Sequence, residues 1–284
     1  MKIGFIGQGY VGKNYADYFD DVGHQTVRYS LDTEYLHNKN NIAECKIVFI
    51  AVPTPTKPSG FDSSFVEEAL TLVGDGATVV VKSTLIPGTT ARLQSQFKNI
   101  FLFHSPEFLS RDSAREDVRS PRRKIIGMPI HSQEYINRAE ELIALLPEAP
   151  YKLICDASTA ELLKYANNTF FYTKIVFMNI LYDLVQAQSN EWGVFREALG
   201  QEPWIGAMHI DPVHKSGRGA GGDCMIKDFA AFKKMYSEVL SDDIGLSLLE
   251  LIEKKNISLL KTSGKDFDLL KSIYGEDILS DITK

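Results

Sequence analysis

The sequence predicts an α/β protein: a Rossmann-type doubly wound, mostly parallel sheet followed by an all-helical domain with one long helix. Three observations predict it. Short apolar runs alternate with amphipathic stretches through the first half. The N-terminus reads strand, then Gly7-Gln8-Gly9-Tyr10-Val11-Gly12, then helix. From Ser158 the alternation gives way to a long apolar and aromatic stretch with no proline before Pro203.

Taken in order, strands are expected at 2–6, 26–29, 47–52, 78–81, 101–103, 124–127 and 151–155. Helices at 11–21, 64–72, 89–97 and 133–145 lie between them. This is the pattern of parallel strands joined by crossover helices, with ligands expected at the carboxyl ends of the strands. Ser158-Thr159-Ala160-Glu161 reads as a capping box opening a helix that runs to about Gln188. Further helices are expected from near Lys227 and from near Asp242 to about Leu260. The expected domains are therefore 1–156 (the Rossmann-type sheet domain), 157–262 (the central helical domain) and a peripheral polar tail, 263–284.

Bulk properties narrow the function. A chain of 284 residues with 44% hydrophobic and 24% charged residues is an ordinary globular protein large enough for two domains. Its net charge of -6 argues against a nucleic-acid binder. No apolar run approaches a membrane span. The stretch Met1–Ile6 is too short for a signal peptide and runs straight into the glycine motif. The 3 cysteines, Cys45, Cys155 and Cys224, show neither a disulfide framework nor paired metal-ligand spacing, so no metal is expected and a reducing cytoplasm fits. Cys45 and Cys155 read as small buried hydrophobes.

In the glycine motif, Gly7 allows the tight turn after the strand. Gly9 lets backbone approach a pyrophosphate, and Gly12 lets the helix pack on the sheet. The helix N-terminus then offers N–H groups and partial positive charge to phosphate. The acidic residue expected for the adenosine ribose at the end of the second strand is replaced by Ser30, with Asp32 displaced beyond it, and Arg28 nearby could accept a 2′-phosphate. NAD is the expected cofactor, with NADP left open.

In sequence order, GQGYVG at Gly7, VPTPT at Val52 and GFDSSFVEEA at Gly60 are followed by KSTLIPGTT at Lys82. Then come SPEFLSRDSAREDVRSPRRKIIG at Ser105, AELLKYANNTFFYTKIVFMN at Ala160 and GAGGDCMIKD at Gly219. Together with LLELIEKKN at Leu248, this series resembles the UDP-glucose/GDP-mannose dehydrogenases, nearly the whole way from Met1 to Leu260, with LLELIEKKN similar to the end of that family's hinge helix. The resemblance implies two successive oxidations of a sugar-nucleotide alcohol to a carboxylate, a place in polysaccharide biosynthesis, and NAD as cofactor. Cofactor contacts are then expected from Gly7, Gly9, Tyr10, Val11, Gly12, Ser30, Pro53, Thr54 and Thr84. Substrate contacts are expected from Glu107, Phe108, Leu109, Lys164, Asn168 and Gly221.

Lys164 and Asn168, four apart, project from one helix face. A lysine among Leu, Tyr and Phe needs an anionic partner or an oxyanion, and the resemblance implies that both residues stabilise charge on the reacting sugar oxygen. Cys224, ahead of a helix expected near Lys227, should have a lowered pKa and be nucleophilic. The resemblance makes it the residue that captures the aldehyde as a thiohemiacetal and then carries a thioester. It likewise implies that Asp228 positions or deprotonates a water, that Glu107 serves thioester hydrolysis, and that Thr84 holds the same water. Asp228 also reads as an ordinary carboxylate favoured by the helix dipole.

The chain stops where the family's third domain is expected, and Phe177-Met178-Asn179-Ile180 lacks the family's glutamate after the asparagine. The cations in Lys215-Ser216-Gly217-Arg218-Gly219 could meet a phosphate. Three readings stand: a compact nucleotide-sugar dehydrogenase working as a dimer, a single-step hydroxy-acid dehydrogenase, and a cofactor-binding accessory protein. The joint presence of Thr84, Glu107, Lys164, Asn168, Cys224 and Asp228 favours the first. Dimerisation is expected through the long helix, which should carry more apolar surface than one partner helix covers.

Overall fold

The computed structural model describes the backbone of residues 1–283 and the side chains of 1–280. The chain forms two compact units, Met1–Pro55 with Asp62–Lys164, and Thr56–Phe61 with Tyr165–Lys284.

The first unit opens with β1 (Lys2–Ile6), α1 (Tyr10–Asp21), β2 (Gln25–Tyr29), a 3₁₀ segment (Leu36–Glu44) and β3 (Ile47–Ile50). The chain then makes a short hairpin, β4 (Thr56–Lys57) and β5 (Gly60–Phe61), which belongs to the second unit. It returns through α2 (Ser64–Leu70), β6 (Thr78–Val81), α3 (Thr89–Gln96), β7 (Phe101–His104), α4 (Ala114–Arg119), β8 (Arg123–Met128), α5 (Gln133–Leu145) and β9 (Tyr151–Asp156). The strands make one 7-stranded sheet in the order β2-β1-β3-β6-β7-β8-β9. All neighbours are parallel except β7 and β8, which meet antiparallel at His104 and Gly127. Its central strands are continuous apolar runs because helices cover both faces. Phe5, Phe19 and Phe49 form an aromatic centre, with Phe5 and Phe49 stacked 5.2 Å apart. The strand order reverses at β1, and the glycine turn leaves the sheet there, at the switch point where ligands bind in such folds.

The second unit contains the rest of α6 (Ala157–Ala187), then α7 (Trp192–Gly200), a short hairpin of β10 (Val213–His214) and β11 (Gly217–Arg218), and α8 (Gly222–Val239). After these come α9 (Asp243–Ser263), α10 (Phe267–Tyr274) and a 3₁₀ segment, Glu276–Thr283. Tyr172 of α6 stacks on Phe229 of α8 at 4.0 Å. Ile226, Leu260, Leu270 and Ile273 bring α8, α9 and α10 into one apolar cluster. Among the described residues no helix is long and apolar enough to cross a membrane.

Four expectations are corrected. The division between units falls inside α6, between Lys164 and Tyr165, rather than ahead of the helix. Its first turns pack on the sheet so tightly that a Cβ on Gly127 would lie 2.7 Å from Ala160 Cβ. The capping box does not form, because Ser158 is already helical and Glu161 caps a different helix. Helix α8 starts at Gly222, well before Lys227, which puts Cys224 in its first turn. The tail is not peripheral: α10 buries Leu270 and Ile273 against Ile226 and Leu260, and Lys265 is buried beside it.

Candidate functional site

Gly7 follows β1 with φ 91°, and its N–H donates to Tyr29 O at 2.8 Å, tying the turn to β2. A Cβ there would stand 2.3 Å from Ala51 O, and one on Gly12 would stand 1.9 Å from Gly7 O. Both positions therefore exclude a side chain, whereas Gly9 faces open space. Helix α1 begins at Tyr10 with no side-chain cap and no acidic residue in its first turn, so its own residues supply no carboxylate to compete for its positive end. Val11 packs into the sheet core. This turn suits a dinucleotide's pyrophosphate.

At the end of β2, Ser30 Oγ donates to Asp32 Oδ2 at 2.8 Å. Arg28 donates to Asp17 Oδ1 at 2.6 Å and also pairs with Asp20, so its charge is already met by α1. That leaves little for a 2′-phosphate and fits NAD over NADP. Thr54 is buried and Pro53 exposed beyond β3. Ser83 Oγ donates to Val52 O at 2.7 Å, joining the ends of β6 and β3 next to half-buried Thr84.

The same unit holds a buried ion pair. Lys164 Nζ donates to Glu107 Oε1 at 2.9 Å and to Glu107 O at 2.8 Å, with both side chains almost fully buried. The other carboxylate oxygen accepts from Leu109 N at 2.7 Å, and Tyr10 OH lies 3.5 Å from Oε1. Phe108 is flanked by cations, with Arg123 3.7 Å and Lys164 5.7 Å from its ring centre. The pair thus answers the requirement that a lysine buried at this position have an anionic partner.

Sequence reading missed what lies beneath Glu107. Lys82 is buried at the end of β6 and donates to Ser105 Oγ at 2.8 Å and Tyr15 OH at 3.3 Å. Burial pushes its pKa down to about 7, with the Glu107 charge pulling it back up. His104, fully buried at the end of β7, is pushed down to about 3 by burial and then by the Lys82 charge. Burial pushes the Tyr15 hydroxyl up. A lysine directly after the apolar run Thr78–Val81 was the available signal. Glu161 was also missed. Its carboxylate accepts from Gly88 N (2.7 Å), Thr90 N (2.8 Å) and Thr90 Oγ1 (2.6 Å), capping α3 from α6.

In the second unit, Asn168 Nδ2 donates to Asp228 Oδ2 at 2.6 Å, and Lys227 Nζ donates to Oδ1 at 2.5 Å. Lys164 and Asn168 therefore share a helix face but have different partners. Cys224, half-buried, and Asp228 are one turn apart on α8 and lie on one face. Gly221 is the N-cap of that helix. Arg218 does not stand ready for a phosphate: it donates to Asn179 Oδ1 at 2.8 Å and pairs with Asp183 at 2.7 Å.

Residues 26–146 match the NAD binding domain of the UDP-glucose/GDP-mannose dehydrogenase family, and residues 158–257 match its central domain. A UDP-glucose 6-dehydrogenase of Rickettsia felis is 29% identical over 298 residues, covering 90% of this chain and 64% of that protein. Among solved structures, a UDP-glucose dehydrogenase of Pyrobaculum islandicum superposes with a TM-score of 0.76 at 26% identity, covering 92% of this chain and 70% of that one. A 3-hydroxyisobutyrate dehydrogenase of Mycobacterium tuberculosis, determined with L-serine, shares the fold at a TM-score of 0.70 and 12% identity, covering 98% of both chains. The chain spans about two thirds of the length of the nucleotide-sugar dehydrogenases it matches.

Proposed function

The chain belongs to the UDP-glucose/GDP-mannose dehydrogenase family, and from that premise we propose that it oxidises the C6 alcohol of a UDP-glucose-like nucleotide sugar twice, to the carboxylate. The cofactor is NAD, the ligand of the matched N-terminal domain. The observation that carries the proposal is the face of α8 on which Cys224 and Asp228 stand one turn apart, with Asp228 held by Asn168. A dehydrogenase that oxidised its substrate once would have no use for that thiol.

NAD, when bound, supplies the acceptor for the hydride lost in each oxidation. Lys164 and Asn168 stabilise the negative charge that develops on the C6 oxygen as its proton leaves. The Cys224 thiolate adds to the aldehyde carbon, forming a C–S bond and a thiohemiacetal. Loss of the second hydride and of the hydroxyl proton leaves a thioester on Cys224. Glu107, fixed by Lys164 and Leu109 N, takes a proton from the attacking water, which Thr84 of the same unit holds. Breaking the C–S bond returns the Cys224 thiolate and releases the carboxylic acid. The balance is one alcohol and one water to one carboxylate, with two hydrides transferred and three protons released.

We also propose a homodimer through α6. Phe170, Phe177 and Leu184 recur at sevenfold spacing on this helix and are exposed, with Ile180 beside them. An aligned apolar stripe of this kind is a helix-pairing surface.

The test is cofactor reduction by the purified protein with UDP-glucose, GDP-mannose and small hydroxy acids, each with NAD and NADP. Two NADH per sugar nucleotide is the expected result. One NADH per hydroxy acid would replace this reading with the single-step one, and binding without turnover would make the protein an accessory subunit.

A further inference from the structure

The residues just past α9 lie beyond the family's central domain, which matches only as far as residue 257. They nevertheless reach back to the loop that leads into α8 and Cys224. Lys265 is buried, and its ammonium donates to Gly219 O at 3.0 Å, His214 O at 3.3 Å and Gly217 O at 3.4 Å. Three carbonyl dipoles converging on one point repel each other unless a cation stands there, and a lysine ammonium has three N–H donors to meet them. The loop adopts left-handed backbone at Gly219 (φ 89°), where glycine permits it, and at Lys215 (φ 55°), where a residue with a side chain does not hold it by local preference.

Asp266 is the second contact. It is itself left-handed at φ 57°, an uncommon conformation for a non-glycine residue, and as the N-cap of α10 it makes no side-chain bond to its own helix. Its Oδ2 instead accepts from Gly222 N at 2.8 Å, the first residue of α8. The N-cap of α8 is Gly221, which has no side chain to offer, so Asp266 provides the cap from 44 residues away. The two positions are complementary: a Cβ on Gly221 would fall 2.1 Å from Asp266 Oδ2 and 2.7 Å from Lys265 Cε. Leu270 and Ile273, buried against Ile226 and Leu260, fix the turn that presents the pair.

We infer that Lys265 and Asp266 are positioning residues for Cys224, one shaping the loop before α8 and the other capping the helix turn that carries the thiol. The inference rests on the proposed role of Cys224. The strongest variant is Asp266→Gly, which keeps the left-handed turn and removes only the acceptor, with Asp266→Asn as the rescue and Lys265→Met as a second probe.

In Asp266→Gly, hydrogen exchange across residues 219–224 should accelerate by about fivefold, the factor that loss of a helix cap corresponds to. Turnover of the nucleotide sugar should fall by about tenfold or more, as expected when a reacting group is misplaced. The KM for NAD should stay within about twofold of wild type. Asp266→Asn, which retains an acceptor oxygen, should restore both exchange and turnover, and Lys265→Met should repeat the Asp266→Gly pattern. Unchanged exchange would overturn the inference. So would faster exchange with wild-type turnover, or an asparagine variant as impaired as the glycine one. The exchange comparison needs no substrate. A wild-type protein that oxidised no sugar nucleotide would therefore sink the reading of the reaction, while exchange alone decided whether the pair holds the Cys224 turn.

Discussion

Replacing Lys164 with Met removes the cation from a carboxylate that is 6% exposed and accepts at 2.9 Å. Breaking a buried ion pair by deleting one partner costs about 3–5 kcal/mol, because the surviving charge is left without compensation. The lower end applies here: Lys82 also acts electrostatically on Glu107, and Leu109 N still donates to it. About 3 kcal/mol is therefore expected for Lys164→Met. Glu107→Gln should cost less, because Lys164 retains its bond to Glu107 O. Pairing Lys164→Met with Glu107→Leu should cost less than the sum of the two single changes by about 2 kcal/mol, within the range for residues in direct contact. Urea unfolding of wild type, Lys164→Met, Glu107→Leu and the double variant at one pH measures this cycle. Single substitutions costing under about 1 kcal/mol and adding independently would refute the argument, since surface pairs behave that way.

Three further outcomes follow from buried groups of the first unit. His104 is held near 3 against an ordinary 6.5, so the unfolded chain binds more protons between those values and stability must fall as pH drops through that window. Between pH 6.5 and 4.5 the loss should be about 2–3 kcal/mol, and His104→Phe should remove most of it; an unchanged acid slope in urea titrations would contradict the assignment. Lys82, held near 7, has the same sign in a higher window, so stability should rise as pH increases from 7 towards 10, and Lys82→Met should flatten that rise. Glu161→Ala strands three donors at the start of α3 and should cost about 3–5 kcal/mol, with Glu161→Gln recovering part of it; thermal unfolding of both variants at wild-type midpoints would rule out the capping role.

The centre of the sheet was legible because β1, β3, β6 and β7 are nearly unbroken apolar runs, which is what burial on both faces requires. The long helix was legible because no proline interrupts the stretch between Ser158 and Ala187, which is rich in apolar and aromatic residues. What escaped depends on partners distant in sequence. Ser158-Thr159-Ala160-Glu161 has the local form of a capping box, yet the carboxylate finds Thr90, 71 residues away. The glycines before Cys224 read as loop because their helix start is capped by Asp266 rather than by a neighbour. The segment Phe267–Tyr274 is too short to form a stable helix alone and acquires its meaning only from the apolar surface around Ile226. The family motifs named Lys164, Glu107, Asn168 and Asp228, but they did not show that these residues divide into two separate bonded pairs. Lys82, Tyr15 and Ser105 form one buried set beside Glu107 that comes from three distant stretches of chain, so no local pattern announces it.

The proposed double oxidation is tested most directly by counting NADH per active site in a single turnover of wild-type protein and of Cys224→Ser. With a saturating nucleotide sugar as substrate, wild type should form two NADH and the carboxylate. The serine variant should stop at one NADH with aldehyde, or stall as a hemiacetal, while binding NAD as before. Two NADH from the serine variant at the wild-type rate would contradict the role given to Cys224 and, with it, the thioester route.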